Sequence, residues 1–133
     1  MPLKAFSYTK LVVADLDASE AFYCDVMGLK TLMRDTMCET EWAYEECVMS
    51  ATGEQGAPML QLIRYSKKPA PAPTGAWIGF MVTEIDALIE SVVAAGGCMH
   101  MAATRIEKHG VVGAIVSDPE GHMIELIETM SDE

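Results

Sequence analysis

Glu125 is the acid whose sequence neighbours would most change its chemistry. It stands in Met123-Ile124-Glu125-Leu126-Ile127, and strand alternation puts Met123 and Ile127 on its own face. Withdrawn from water by those side chains and by Trp77, its carboxyl would titrate higher and act as a general base, taking a proton next to a carbonyl. The alternative is a structural ion pair with Lys10. A second segment of the same pattern, Met59-Leu60-Gln61-Leu62-Ile63, offers Gln61, an amide that can both donate and accept. Tyr8 and Trp77 are flat rings that would stack on a flat ligand while Gln61 and Glu125 fix its orientation, or would merely plug a cavity.

The other reactive side chains read more plainly. His122 precedes a strand at a turn, His109 precedes Gly110 in a loop and His100 lies on a late strand; each reads as an exposed or hydrogen-bonded structural histidine rather than a ligand or base. Cys24, Cys38, Cys47 and Cys98 form no C-x-x-C pair and read as reduced, structural thiols. Arg34, Arg64 and Arg105 are able to clasp a carboxylate with two hydrogen bonds, but each lies near a strand end, where arginines are usually solvated. Glu39, Glu41, Glu45 and Glu46 read as a solvated strand face, although glutamates there would help a relocated metal site.

These residues must be positioned by elements, and the elements come in two copies. Tyr8 to Ala18 aligns with Trp77 to Ala87, and Met59 to Ile63 with Met123 to Ile127; Val13/Val82, Asp17/Asp86 and Gly28/Gly97 keep one constant offset. Such self-similarity marks a duplicated supersecondary unit, with function where the copies meet. In the first copy Phe6 to Val13 predicts a strand, and Asp15-Leu16-Asp17 caps a helix through Ala18, Ala21, Phe22 and Val26 that Gly28 closes. Strands near 30–36, 41–50 and 59–65 follow, with a turn across 53–58. The second copy predicts a strand over 77–82 and a helix through Ile85, Leu88, Ile89, Val92 and Val93 that ends at Gly96-Gly97. Strands near 98–104, 111–117 and 123–128 complete it, with Asp118-Pro119-Glu120-Gly121 as a tight turn. Between the copies, Lys67 to Gly75 holds three prolines and reads as a semi-rigid connector. Ser131-Asp132-Glu133 is expected to fray. The fold class is α+β: one domain over 1–133, with one βαβββ module at about 5–66, the connector at 67–75 and a second module at about 76–129.

Alternation then divides the side chains. Leu11, Val13, Leu60, Leu62, Ile78, Phe80, Val82, Ile124 and Leu126 belong under the helices. The opposite, cupped face would carry Tyr8, Lys10, Met59, Gln61, Ile63, Trp77, Met81, Met123, Glu125 and Ile127, with space left at Gly79. A mostly apolar surface with a few polar groups is how small-molecule sites are lined.

Composition limits the alternatives. A chain of 133 residues, half of them hydrophobic, buries one sizeable core and not two ordinary ones. A net charge of −11 opposes binding to nucleic acid or anionic membranes, which need basic patches. No leader pattern and no apolar run of about 18 residues occurs, so the cytoplasm is the expected location.

The paired βαβββ modules, the strand-to-helix entry Val12 to Tyr23 and the segment Asp118 to Leu126 resemble the vicinal oxygen chelate superfamily, the group of glyoxalases, bleomycin-resistance proteins and extradiol dioxygenases. The resemblance implies two tandem βαβββ modules forming cupped mixed sheets, and often a homodimer. It also implies four metal-ligand positions, on the first and last strand of each module, which fall here on Tyr8, Gln61, Trp77 and Glu125. Indole has no lone pair to give and a neutral phenol is a poor donor, whereas a catalytic divalent ion wants about three protein ligands. No metal is therefore expected. The function expected is binding, or metal-independent transformation, of a small apolar or aromatic organic molecule. The alternative is a glyoxalase-like lyase or isomerase using one zinc, nickel, iron or manganese ion held by Gln61 and Glu125; an extradiol dioxygenase is a more distant one.

Overall fold

The computed structural model of the chain describes residues 2–56 and 58–130. Ser131-Asp132-Glu133, expected to fray, lie outside the described residues. The chain divides into two compact units, Met1–Pro71 and Ala72–Glu133; the division falls inside the proline-rich segment.

In the first unit, β1 (Tyr8–Val12) leads into α1 (Leu16–Ala21), which widens into a π-helical turn over Phe22–Val26. The helix starts at Asp15 because its carboxylate accepts the Ala18 N–H at 3.0 Å, satisfying a donor that the first turn leaves open. It ends at Met27, and Gly28 follows at φ +83°, a conformation that glycine adopts without a Cβ penalty. β2 (Lys30–Met37), β3 (Tyr44–Ser50) and β4 (Met59–Tyr65) complete a sheet of order β1-β4-β3-β2. β1 runs parallel to β4 and the other pairs are antiparallel.

The second unit repeats this plan. β5 (Trp77–Met81), α2 (Ile85–Ala94), β6 (Cys98–Ile106), β7 (Val111–Ser117) and β8 (Met123–Thr129) form a sheet of order β5-β8-β7-β6, again with one parallel pair, β5 with β8. Here the capping differs. Glu84, the counterpart of Asp15, sits at φ +53° and makes no side-chain cap; the Ile85 N–H is accepted by Glu128 Oε1 at 3.0 Å, so the cap comes from β8.

Each helix covers one face of its own sheet. Leu11, Val13, Leu60 and Leu62 are buried in the first unit, and Ile124 and Leu126 in the second, joined by Ile85, Ile89 and Val92 of α2. Ile78, Phe80 and Val82 depart from expectation and are only half-buried. α2 packs over β6, β7 and β8, away from β5 at the sheet edge. Between α1 and its sheet lies a polar clamp: Glu20 accepts from Thr31 Oγ1 at 2.7 Å, from Cys47 Sγ at 3.0 Å and from Arg34 Nη2 at 3.0 Å.

Three boundaries shift. β1 begins at Tyr8, leaving Phe6 exposed. β3 begins at Tyr44 and not near Glu41, because Thr40 is left-handed at φ +69° and its hydroxyl accepts the Trp42 N–H, which makes a turn there. β6 continues to Ile106.

Candidate functional site

The face of each sheet turned away from its helix carries the residues singled out by alternation. In the first unit Tyr8 pairs in register with Met59, and Lys10 with Gln61. Across β4 and β3, Gln61 faces Val48 and Ile63 faces Glu46, so Tyr8, Lys10, Gln61 and Glu46 share one face. Tyr8 is 46% exposed, Met59 is half-buried and Gln61 is buried.

The Lys10 ammonium lies 3.8 Å from Glu46 Oε2 and 5.8 Å from the ring centroids of both Tyr8 and Tyr44. Glu46, expected on a solvated face, is buried instead, and its Oε2 has no hydrogen-bond partner among the described residues. The reason is strand geometry: Glu45 points to the helix side at the sheet margin, whereas Glu46 stands one pair from Gln61 in the middle of the other face. Alternation from Tyr44 and Val48 would have found it, but the run of four glutamates hid it. Partial burial, then the charges of Glu46 and Asp35, raises the Tyr44 phenol above its usual value.

In the second unit Trp77 pairs with Met123, and Glu125 with Gly79. Trp77 is 51% exposed, Met81 is 70% exposed and Met123 is half-buried. Glu125, expected inside, is exposed. Its neighbour Gly79 has no side chain, and a Cβ placed there would meet nothing within 4 Å, so one flank of the carboxylate stays open.

The remaining side chains are tied into the framework. His122 is buried with Nδ1 2.8 Å from Asp118 Oδ2, and Asp118 Oδ1 also accepts the Glu120 and His122 N–H groups; the dyad shapes the turn before β8. His100 Nε2 lies 2.9 Å from Ser117 Oγ. Arg34 is held by Asp17 and Glu20, and Arg105 by Glu107. Arg64 points away from these faces, into an open cavity of about 600 Å³ that Lys67 and Lys68 also line. Cys47 is buried, Cys24 half-buried, and Cys38 and Cys98 are exposed; all four are free.

The fit of a divalent ion can be judged from the donors. The first unit presents a phenol and an amide, Tyr8 and Gln61, and the second an indole and a carboxylate, Trp77 and Glu125. Among the described residues no group of three or more His, Cys, Asp or Glu is gathered to hold a metal. This donor set does not suit zinc, nickel, iron or manganese, which need about three good ligands.

Comparison with known proteins places this arrangement. A family model for the Glyoxalase/Bleomycin resistance protein/Dioxygenase superfamily matches residues 5–126. A Haemophilus influenzae protein named lactoylglutathione lyase is 32% identical over 127 residues, covering 93% of this chain and 92% of its own. A Vibrio parahaemolyticus protein named "Probable lactoylglutathione lyase" is 33% identical over 122 residues, covering 91% and 88%. Among solved structures, a glyoxalase family protein from Bacillus cereus superposes with a TM-score of 0.83 at 21% identity, over 98% of this chain and 97% of that one. The E144Q mutant of Zea mays glyoxalase I gives 0.78 at 20% identity, over 93% of this chain and 45% of that one. Among the described residues no helix is long and apolar enough to cross a membrane. With its duplicated βαβββ units and a family match over nearly its whole length, the chain belongs to the glyoxalase/bleomycin resistance protein/dioxygenase superfamily.

Proposed function

We propose that this chain binds a small apolar or aromatic organic molecule on the sheet faces that carry Tyr8 and Trp77, holding it or transforming it without a catalytic metal. The observation that carries the reading is the pair of aromatic rings at the first-strand ligand positions, 46% and 51% exposed. A ring that only filled a core would be covered, whereas an exposed ring beside Met59 or Met123 offers a flat, polarizable surface to a ligand. Gln61 and Glu125 supply the polar contacts that orient it.

The test is the metal content of purified protein after incubation with nickel, zinc, iron and manganese and removal of loose ions. The expected ratio is near zero per chain, and a ratio near one overturns the reading. A second reading is favoured by the identity to proteins named lactoylglutathione lyase: a lyase or isomerase with Glu125 as general base, or with one divalent ion at Gln61 and Glu125. It requires, as does any metal-free transformation with Glu125 as base, that Glu125→Gln abolish turnover, whereas binding alone requires only a change in ligand affinity. The protein is further proposed to work as a homodimer in the cytoplasm without nucleic-acid or membrane partners. Its net charge of −11 supports the last point, because anionic polymers and surfaces repel it.

A further inference from the structure

Two opposite charges on the first unit's face stand close without bonding. Lys10 Nζ is 3.8 Å from Glu46 Oε2, beyond the roughly 2.7–3.2 Å of an N–H···O hydrogen bond. Oε2 is closed to solvent and has no donor among the described residues. Glu46 as a residue is 8% exposed. Buried acceptors are seldom left unmet, and an exception calls for an explanation in use. The Lys10 side chain makes no hydrogen bond among the described residues and is 36% exposed. It can therefore swing aside and admit a group between itself and the carboxylate.

The fold does not require this pair. The second unit has the same register, and the places equivalent to Lys10 and Glu46 are the partners of Glu125 and Ile127. Those partners are Gly79 and Gly113. One unit thus holds two charges where its duplicate holds two glycines and keeps the same strand order.

We propose that Lys10 and Glu46 form a subsite for the hydroxyl group of a neutral aromatic ligand, the hydroxyl accepting from the Lys10 ammonium and donating to Glu46 Oε2 while the ring lies against Tyr8. A hydroxyl accepts and donates at one atom, as a gap between an ammonium and a carboxylate demands. A carboxylate would satisfy Lys10 but oppose Glu46 and, directly across from it on β2, Asp35. An ammonium would satisfy Glu46 but oppose Lys10. The inference rests on the reading of this face as a surface for aromatic molecules.

The experiment is a calorimetric or fluorescence titration of the full-length protein with naphthalene, 2-naphthol and 2-naphthoate, repeated on Glu46→Gln and Lys10→Met. Wild type should bind 2-naphthol roughly tenfold or more tighter than naphthalene, as expected for hydrogen bonds to charged groups, and 2-naphthoate more weakly than 2-naphthol. Both substitutions should shrink that preference, taken as the ratio of the two affinities within each variant, to about threefold or less. Naphthalene binding with no preference for 2-naphthol, a preference that survives both substitutions, or tighter binding of 2-naphthoate overturns the hydroxyl subsite and leaves the broader reading standing. Binding of none of the three overturns both. The comparison among the three probes on wild type needs no variant to fold.

Discussion

Gly97 and Gly79 lack a side chain for opposite reasons. A Cβ at Gly97 would fall inside contact of the Ser117 carbonyl oxygen and 2.7 Å from Val92 Cγ1, so the backbone after α2 sits against β7 only because the position is bare. Gly97→Ala should destabilise by about 1–3 kcal/mol, the usual effect of overpacking. At Gly79 the space is open, and Gly79→Ala should be neutral or stabilising by up to about 0.5–1 kcal/mol, since glycine in a strand loses more freedom on folding. Urea unfolding of the two variants checks both signs. The sequence paired Gly97 with Gly28, but the left-handed turn that Gly28 makes at φ +83° is made in the second unit by Gly96 at +99°. At this scale the candidate site was legible as to face but not as to cover. Alternation placed Tyr8, Lys10, Gln61, Trp77 and Glu125 on the faces turned away from the helices; it could not say that Glu125 is exposed and Glu46 buried. Exposure is set by what stands across the strand, and a single strand's pattern carries no trace of that.

Among the elements, α1 is pinned to its sheet by charge as well as by apolar packing. Hydrogen bonds from Thr31, Cys47 and Arg34 hold the Glu20 carboxyl below its ordinary value of 4.5, Thr31 contributing most and burial opposing them. Burial, reinforced by that carboxylate, pushes the Cys47 thiol up to about 12. A carboxyl with a lowered folded-state pKa favours the folded chain when ionised. Its contribution is fully present above 4.5, the unfolded value, and is lost as pH falls through the lower folded one. Urea midpoints measured from about pH 6 down to 3 should fall more steeply for wild type than for Glu20→Gln, and parallel curves would refute the clamp. The elements themselves were well marked in the residues. β4 and β7 begin and end where turn and strand residues change over, at 59–65 and 111–117. The cap of α2 was not marked, because Glu128 lies 43 residues from the Ile85 N–H it serves, and local signals cannot report a partner that distant.

Across the whole molecule the duplication was the strongest signal, since two βαβββ patterns in tandem leave few other ways to pair the strands. Family membership followed from the same features. What the repeat conceals is where the copies have diverged. The two sheets keep the same strand order and register, yet one carries Lys10 and Glu46 where the other carries Gly79 and Gly113. Equal halves would present equal binding faces, and a chain so built would take up two molecules of any ligand that one face accepts. The charged pair breaks that equivalence. A ligand chosen for its hydroxyl has a single address on each chain, so a 2-naphthol titration should show one tight equivalent per chain, whereas naphthalene, blind to the pair, has no reason to prefer either half.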